Sequence, residues 1–564
     1  VTGTLAFTFG YEISKRFFGE TFAQIVGFLS TLLMVVVGNL DGLVQLVQSF
    51  ASGNLSNFLG NFDFWRSTRI TGGNIIHEFP FFTFLYADLH AHMVAMPMAL
   101  GLLILAAYYV FISARKSRLI VIILASMLGS VLIMTNPWDF PTYSGLFLLA
   151  VSIRALTSCT TLPTKLLRVA HDSLTFIILS VAFCVPFFVH FKSFYSSFGL
   201  VHESVPVTLI LIQLGLFFAI VLSYALVTLL RDTHLRFILL VALGAVIVGL
   251  SLNRLSLGLL LALFICSISC LWQSRNKQPL AIWLGLTSVG LAIWVLIEIF
   301  YLRDFLDGST AYRMNTIFKF GLQSWILLAL GCAGLLPVTY RSITKSSLRV
   351  SYLGVCLFLI TSSLIYTVAG SYSRLSQRFP VPPSNAGLNG EAFLTTATLT
   401  NVSGQTLSFK YDYDAIQWLR KNIAKPDVLV EASIGPYRGF GSRISMFTGL
   451  PDVMGWDNHE SQQRYPDQVF SRSRDVRNLY DTSSIKTALE LILRYDIKYI
   501  YLGPVERLHE FDTGERYASQ QGLEKFDRMV GPYLKLIYSN SAVKIYEVKP
   551  SWQWSEESLS KLEQ

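Results

Sequence analysis

The chain has 564 residues, of which 52% are hydrophobic and only 14% are charged. This composition excludes an ordinary soluble globular protein and indicates a membrane protein with several spans. The net charge of +9 does not indicate nucleic-acid binding, because many basic residues lie in short loops between apolar segments. All six cysteines lie in apolar segments, so the polar part of the chain has neither a disulfide framework nor a zinc-finger spacing.

The polarity of the chain divides it into two parts. Long apolar segments stop at about residue 370, and charged residues become frequent after it. We therefore predict a polytopic α-helical membrane domain over residues 1–370 and a soluble α/β domain over residues 371–564. Residues 1–11 look like the tail of a span and not like a signal peptide with a basic start, so the membrane domain is expected to be incomplete at its N-terminus.

Hydropathy and loop charge together predict about twelve spans. The predicted spans cover residues 1–14, 21–40, 92–114, 119–135, 143–158, 171–190, 206–230, 237–252, 255–272, 280–301, 322–340 and 350–369. Alternate loops are rich in lysine and arginine, and the positive-inside rule places these loops in the cytoplasm. The segments 78–92, 136–141 and 304–319 then face the extracytoplasmic side, as does the C-terminal domain.

The segment Glu78–His92 places two acids and two histidines at the start of an apolar stretch, where ionisable side chains are costly unless they have a function. Asp88, His90 and His92 alternate, so an extended backbone would point all three to one side. Two functional hypotheses follow: these residues hold a divalent metal, or an acid acts as a general base that a histidine tunes. The structural alternative is that Asp88 caps the following helix.

The sequence Asn136–Pro141 breaks a helix at membrane depth, which proteins tolerate only against other protein or a wet cavity. Asp139 would then face such a cavity and take part in catalysis. The alternative is a structural turn, in which Asn136 and Asp139 satisfy loose backbone groups.

Basic residues mark two further extracytoplasmic segments. Arg313 and Lys319 lie among apolar residues, and arginine with lysine suits phosphate binding. The alternative is that these long side chains extend to the membrane interface. Arg66 and Arg69 form a weaker candidate of the same kind, beside Trp65 as an interface anchor.

Helical and strand patterns alternate in the C-terminal domain, which ends in a predicted hairpin over residues 534–548. No phosphate-binding glycine motif supports nucleotide binding. The polar, glycine-rich stretch 435–460 is long enough to bind a ligand or to close a site. Its candidate residues on the acceptor side are Arg443, Trp456, His459 and Glu460, and the alternative is packing onto the membrane domain.

Eight short motifs along the chain carry a family resemblance. They are Gly38–Gly42, Phe62–Arg66, Glu78–Pro80, Asp88–His92, Asn136–Pro141, Arg313–Lys319, Thr448–Pro451 and Gly455–Glu460. Together they resemble a prokaryotic family of membrane proteins of unknown function, the "YYY" proteins. The tri-tyrosine segment that names the family is absent and would lie upstream of Val1.

The resemblance implies a distant relationship to the GT-C glycosyltransferase fold, whose members use polyprenyl-phosphate sugars and place an acidic base in an outer loop. We therefore expect a glycosyltransferase-like protein of the prokaryotic plasma membrane, with its C-terminal domain outside. The expected catalytic residues are Glu78, Asp88, His90, His92 and Asp139, and the expected donor phosphate ligands are Arg66, Arg69, Arg313 and Lys319.

The expected partners are membrane lipid, a polyprenyl-phosphate-linked sugar and a glycan or protein acceptor, with no nucleic acid. A divalent metal is the one cofactor that the residues suggest. Two other functions compete with transfer. A transporter or flippase of lipid-linked glycans would show inverted repeats and charges near mid-membrane, and a non-catalytic scaffold would use the C-terminal domain to dock partners.

Overall fold

The structure is a computed structural model that describes residues 1–70, 75–111, 115–158, 161–189, 197–231, 236–379, 387–435, 440–461 and 464–554. The described residues form two compact units, of which the first ends at Arg378 and the second begins at Phe379. Each unit is built around an apolar core of its own.

The first unit is almost entirely helical, because a chain in lipid must satisfy its backbone hydrogen bonds within each segment. Its helices are α1 (Thr2–Phe18), α2 (Glu20–Thr31), α3 (Asp41–Ala51), α4 (Phe58–Asn61), α5 (Pro80–Tyr86), α6 (Ala91–Phe111), α7 (Arg115–Thr135), α8 (Asp139–Ser158), α9 (Leu162–Phe188), α10 (Val207–Leu229), α11 (Arg236–Ser251), α12 (Leu255–Ser274), α13 (Gln278–Ile297), α14 (Met314–Ser342) and α15 (Ser346–Arg378). Among the helices long enough to span a membrane, α14 is the most deeply buried: 89% of its apolar stretch lies inside the protein.

Nine helices of the described part are long and apolar enough to cross a membrane, or ten if a bent pair counts as one span. The chain is therefore a polytopic helical membrane protein, and the expected number of about twelve spans stays a prediction. The difference arises at α1 and α11, which have 17 and 16 residues, and at the pair formed by α2 and α3, which is bent by 63°.

The bend between α2 and α3 is filled by protein. Asn39 donates hydrogen bonds to the Ser67 carbonyl at 2.7 Å and to Gln213 Oε1 at 2.8 Å. A Cβ on Gly42 would lie 2.8 Å from the Tyr366 backbone nitrogen, so only glycine lets α3 approach α15 this closely. The break meets the condition for irregular backbone at membrane depth, because its polar groups are satisfied by neighbouring elements.

Two loops of the first unit are joined by a short antiparallel ribbon. Strand β1 (Ser197–Leu200) pairs with β2 (Phe300–Arg303), and Ser197 is opposite Arg303. The ribbon brings the loop before α10 and the loop before α14 to the same end of the unit.

The second unit combines short helices with a mixed sheet. Its elements are β3 (Thr398–Thr400), β4 (Thr406–Ser408), α16 (Lys410–Asn422), β5 (Leu429–Val430), α17 (Arg443–Thr448), α18 (Asp457–Ser461), α19 (Pro466–Asp481), α20 (Ile485–Arg494), β6 (Tyr499–Leu502), α21 (Pro504–Leu508), α22 (Gln520–Met529), β7 (Leu534–Ser539) and β8 (Lys544–Val548). The sheet order is β5-β6-β8-β7, in which β5 and β6 are parallel and the other neighbours antiparallel. The predicted hairpin is present as β7 and β8, and β3 pairs with β4 separately.

Candidate functional site

The chain folds back on itself between Glu78 and His92. The backbone is irregular before Pro80, which occupies the first position of α5, as proline does readily. Helix α5 ends at Ala87, whose φ of 59° is left-handed. Such a conformation costs a non-glycine residue about 1 kcal/mol or more and often occurs at functional sites. The tight turn brings the start of α6 beside Glu78.

Glu78, His92 and His90 form a chain of hydrogen-bonding groups. Glu78 Oε2 lies 3.1 Å from His92 Nε2, and His92 Nδ1 lies 3.0 Å from His90 Nδ1. Thr83 donates its hydroxyl to Glu78 Oε2 at 3.0 Å, and the ring of Phe318 packs edge-on against His92. His92 is buried and His90 half-buried, so the chain runs from the interior towards an accessible ring.

The contacts decide which ring nitrogens carry protons. A Glu78 carboxylate accepts a hydrogen bond from Nε2–H of a neutral His92, so Nδ1 of His92 then acts as an acceptor. The facing Nδ1 of His90 then donates, and Nε2 of His90 carries a lone pair. The arrangement therefore links the His90 ring to a carboxylate through a second imidazole, as in a general base that a carboxylate supports.

Asp139 and Lys319 complete the same region. Asp139 begins α8, is only 6% exposed and lies in hydrogen-bonding range of the side-chain amides of Asn136 and Gln323. Gln323 also donates to the Trp138 carbonyl at 2.9 Å, which ties α14 to the start of α8. Polar groups of the sharp turn at residues 136–139 are thus hydrogen-bonded within the protein, and the Asp139 carboxylate lies in the interior.

Lys319 lies on α14 within electrostatic range of both Asp139 and Glu78. Its Nζ is 4.8 Å from the ring centre of Phe318, the residue that contacts His92. We call Glu78, His90, His92, Asp139 and Lys319 the acid–histidine cluster. The structure thus brings together five residues that the sequence analysis singled out in three separate segments.

Asp88 occupies the loop between α5 and α6 and is half-buried. Its backbone carbonyl accepts a hydrogen bond from the His90 N–H at 2.6 Å. Among the residues that the structure describes, no group of three or more His, Cys, Asp or Glu side chains could hold a metal ion. The expected divalent metal at Asp88, His90 and His92 stays a prediction, and in this structure the two histidines turn Nδ1 towards each other.

Two of the predicted phosphate ligands are engaged in ion pairs. Arg313 is 3% exposed and donates to Glu298 Oε1 at 2.7 Å and to the Glu203 carbonyl at 2.8 Å. Arg66 donates to Asp41 Oδ1 at 3.1 Å. These contacts give both guanidinium groups a structural role at the ends of helices.

Arg69 is placed differently from these two. Its Nη1 donates to Thr68 Oγ1 at 2.5 Å, and its guanidinium lies 5.2 Å from the ring centre of Trp65. The charge of Arg69 also acts on His77, the residue before Glu78.

The sequence analysis did not single out His77, Asp41 or Glu298, although all three are buried polar residues of this unit. Glu298 was recognisable as the only acid in the apolar stretch 280–301, and Asp41 lies in a motif quoted for the resemblance. His77 offered only its position beside Glu78. Its ring is 3% exposed, and neither Nδ1 nor Nε2 has a hydrogen-bond partner in the described structure.

In the second unit, Arg443 is buried within a group of carboxylates. Its Nε donates to Asp412 Oδ1 at 2.7 Å, and Nη2 donates to Glu506 Oε2 at 2.9 Å. Burial raises the pKa of Glu506, but the charge of Arg443 outweighs it and holds that pKa below its usual range. Burial keeps the pKa of Asp412 above its usual range despite the same arginine. Only 1% of the Arg443 side chain is exposed, and its ion pairs hold α17 to its neighbours. Its expected contact with an acceptor stays a prediction.

The remaining acceptor-side candidates lie on or beside α18. His459 is exposed, and Glu460 pairs with Arg464 one helical turn away at 2.6 Å. Trp456 is half-buried, and its indole N–H has no hydrogen-bond partner in the described structure.

The comparisons with known proteins identify a family. No curated protein matches the chain. One family model, described as an uncharacterized membrane protein family (DUF2298), matches residues 1–328, which is more than half of the 564 residues. The match covers every residue of the acid–histidine cluster. The chain therefore belongs to the DUF2298 family of uncharacterized membrane proteins.

Proposed function

We propose that the chain is a membrane glycosyltransferase that takes a sugar from a polyprenyl-phosphate donor at the extracytoplasmic face. The observation that carries this proposal is the Glu78–His92–His90 chain beside Asp139 and Lys319 at helix ends. A base supported by a half-buried carboxylate, next to a cation, suits a reaction in which one oxygen loses a proton and a phosphate leaves.

The proposed transfer gives each residue one task. An acceptor hydroxyl oxygen attacks the anomeric carbon while the bond from that carbon to the phosphate oxygen breaks. The hydroxyl proton passes to the His90–His92 pair and from there to Glu78. Lys319, with Arg69, stabilises the negative charge of the departing lipid phosphate. Asp139 holds Lys319 in place, and no step is assigned to a metal ion.

Arg66 and Arg313 have positioning roles in this proposal, because each already pairs with a buried carboxylate. Binding of an acceptor by His459, Glu460 and Trp456 stays a prediction. The acceptor is a glycan or a protein. The extracytoplasmic location rests on the positive-inside rule and therefore on loop charge.

The transfer hypothesis is tested by supplying the full chain in lipid nanodiscs with a panel of polyprenyl-phosphate sugars and following sugar release or transfer. Substituting E78Q or H90Q is expected to lower turnover by roughly 10²–10⁴-fold, the usual range for general base catalysis, with donor binding retained. Substituting K319M is expected to weaken donor binding as well.

H171Q is the matched control, because His171 is an exposed imidazole on α9 that pairs with Asp172 away from the cluster. It should leave turnover unchanged. A wild-type chain that binds donors but neither transfers nor hydrolyses any of them would contradict the transferase assignment.

One observation favours a translocator as the second candidate. The bent pair α2–α3 is a broken helix, and broken helices form the binding sites of many transporters. A translocator predicts movement of lipid-linked sugar across liposomes without chemical change, and this movement would survive the H90Q substitution.

A further inference from the structure

His77 lies in the irregular segment before α5, next in sequence to Glu78. Its backbone N–H donates to the Thr68 carbonyl at 2.9 Å, and its ring lies parallel to that of Trp294 with 6.3 Å between the ring centres. Glu78 contacts α6, whereas His77 contacts α13, so the two neighbouring side chains point to different parts of the unit.

An imidazole has one nitrogen that donates and one that accepts when the ring is neutral. In the described structure both nitrogens of His77 are buried without a partner, although buried polar groups in native proteins are nearly always hydrogen-bonded. Leaving them unpaired costs free energy, and such a cost at a buried position calls for a missing partner.

The surrounding charges show what kind of partner is missing. Burial, together with the charges of Arg313 and Arg69, lowers the pKa of His77 to about 3. The ring is therefore neutral at physiological pH and takes no part in acid–base chemistry. A site with two arginines in electrostatic range favours a negatively charged occupant.

The unpaired hydrogen-bonding groups support the same conclusion. Nε of Arg313 and Nε1 of Trp294 are also buried donors without a partner in the described structure. With the N–H of His77 they make three donors, whereas His77 contributes a single acceptor. A water molecule, with equal numbers of donors and acceptors, leaves this excess of donors unmatched. A tetrahedral anion offers several acceptors and matches it.

We propose that His77, Trp294 and the Nε edge of Arg313 line an internal pocket that binds a phosphoryl group. The pocket is distinct from the acid–histidine cluster, because Glu298 holds the other edge of Arg313 and Lys319 belongs to the Asp139 side. This goes beyond the proposed function, since binding a phosphoryl group here requires no sugar transfer. The phosphoryl group comes from a prenyl phosphate or from free phosphate.

The test measures thermal stability and ligand binding of the full chain in detergent, with inorganic phosphate and farnesyl phosphate as separate probes. H77L removes both unpaired nitrogens with little change in volume. It is expected to keep or raise the melting temperature of the ligand-free protein while weakening phosphoryl binding by roughly tenfold to a hundredfold.

H77Q keeps one donor and one acceptor and should retain most of the binding. S180A is the matched control, because the hydroxyl of Ser180 is likewise buried without a partner but lies on α9. It should leave binding unchanged. A response to farnesyl phosphate alone identifies the lipid as the source, and a response to both probes identifies the phosphoryl group itself as sufficient.

The proposal is overturned if the wild-type chain binds neither probe, or if H77L binds both as tightly as the wild type does. A large fall in the melting temperature of ligand-free H77L would also overturn it, because His77 would then be satisfied within the protein. None of these readouts depends on sugar transfer, so failure of the transferase assignment leaves this test intact.

Discussion

His92 is 4% exposed and uses both of its ring nitrogens within the protein. The alternation of Asp88, His90 and His92 suggested three side chains on one side of an extended segment. The structure instead begins α6 at Ala91, so His92 lies on the helix and His90 in the loop before it. A capping role for Asp88 would have left the two histidines unexplained. The contact of His92 with Glu78, and that of His90 with His92, now account for them.

Arg443 illustrates how a polar residue in a glycine-rich loop can serve stability instead of binding. It satisfies Asp412 and Glu506 at once, while Tyr501 donates to Asp412 Oδ1 at 2.9 Å. The residues in each of these hydrogen-bonded pairs lie 31 to 89 positions apart along the chain, so no local pattern relates them. The arginine was recognisable from the sequence, but its partners were not.

Removing this guanidinium is expected to destabilise the second unit strongly. R443M leaves buried carboxylates without their counter-charge, and breaking a buried ion pair in this way costs about 3–5 kcal/mol. The measurement is thermal unfolding of the full chain, with hydrogen exchange on α17 to locate the loss.

R464M is the control for R443M, because Arg464 forms an exposed pair with Glu460 that is worth about 1 kcal/mol or less. If both variants lost the same small amount of stability, the buried cluster would not hold α17 in place.

At the scale of elements, the close packing of α3 against α15 holds α3 in its position after the bend from α2. Gly42 lies in the first turn of α3, and Asp41 beside it accepts from Arg66, Ser67 and Gln45. Asp41 and Gly42 are neighbours in the chain, so the hydrogen bonds of Asp41 and the close approach of α3 to α15 depend on the same placement of α3.

G42A is expected to disturb that arrangement, because the added Cβ would lie 2.8 Å from the Tyr366 backbone nitrogen. Backbone cannot move away as a flexible side chain does, and overpacking of this kind costs about 1–3 kcal/mol. The expected result is a lower melting temperature and a looser Asp41–Arg66 pair.

G145A on α8 is the matched variant, since a Cβ there meets nothing within 4 Å. Alanine in a helix at a compatible position stabilises by about 0.4–1 kcal/mol. Equal melting temperatures for the two variants would show that α3 can move away from α15 at little cost.

The elements also show which parts of the fold a sequence can predict. Apolar stretches gave the helices α6 to α10 and α12 to α15, because hydropathy and length are local properties. Loop charge predicted that the three segments of the acid–histidine cluster lie on one side of the membrane. The ion pair between Arg313 and Glu298 and the unpaired ring nitrogens of His77 were not predictable. Both depend on how α13, α14 and the segment before α5 pack against one another.

At the scale of the whole molecule, the location of the site depends on which way the chain crosses the membrane. The ribbon of β1 and β2 joins two loops that the charge pattern places outside, and Lys319 lies near both Glu78 and Asp139. The internal geometry of the first unit thus groups these segments at one end, but loop charge alone assigns that end to the outside.

Cysteine labelling with a membrane-impermeant maleimide tests that assignment. The five cysteines that the structure describes are buried, so an introduced thiol on an exposed loop should dominate the signal. S309C, before α14, is expected to react in intact cells, whereas S347C, at the start of α15, should react only after permeabilisation.

S483C reports on the second unit in the same experiment, because Ser483 is exposed in the loop before α20. It should react in intact cells together with S309C if both units have been assigned to the correct side. Labelling of S347C in intact cells, with S309C protected, would reverse the topology. The acid–histidine cluster would then face the cytoplasm, where the donor and acceptor that we propose would have to be sought instead.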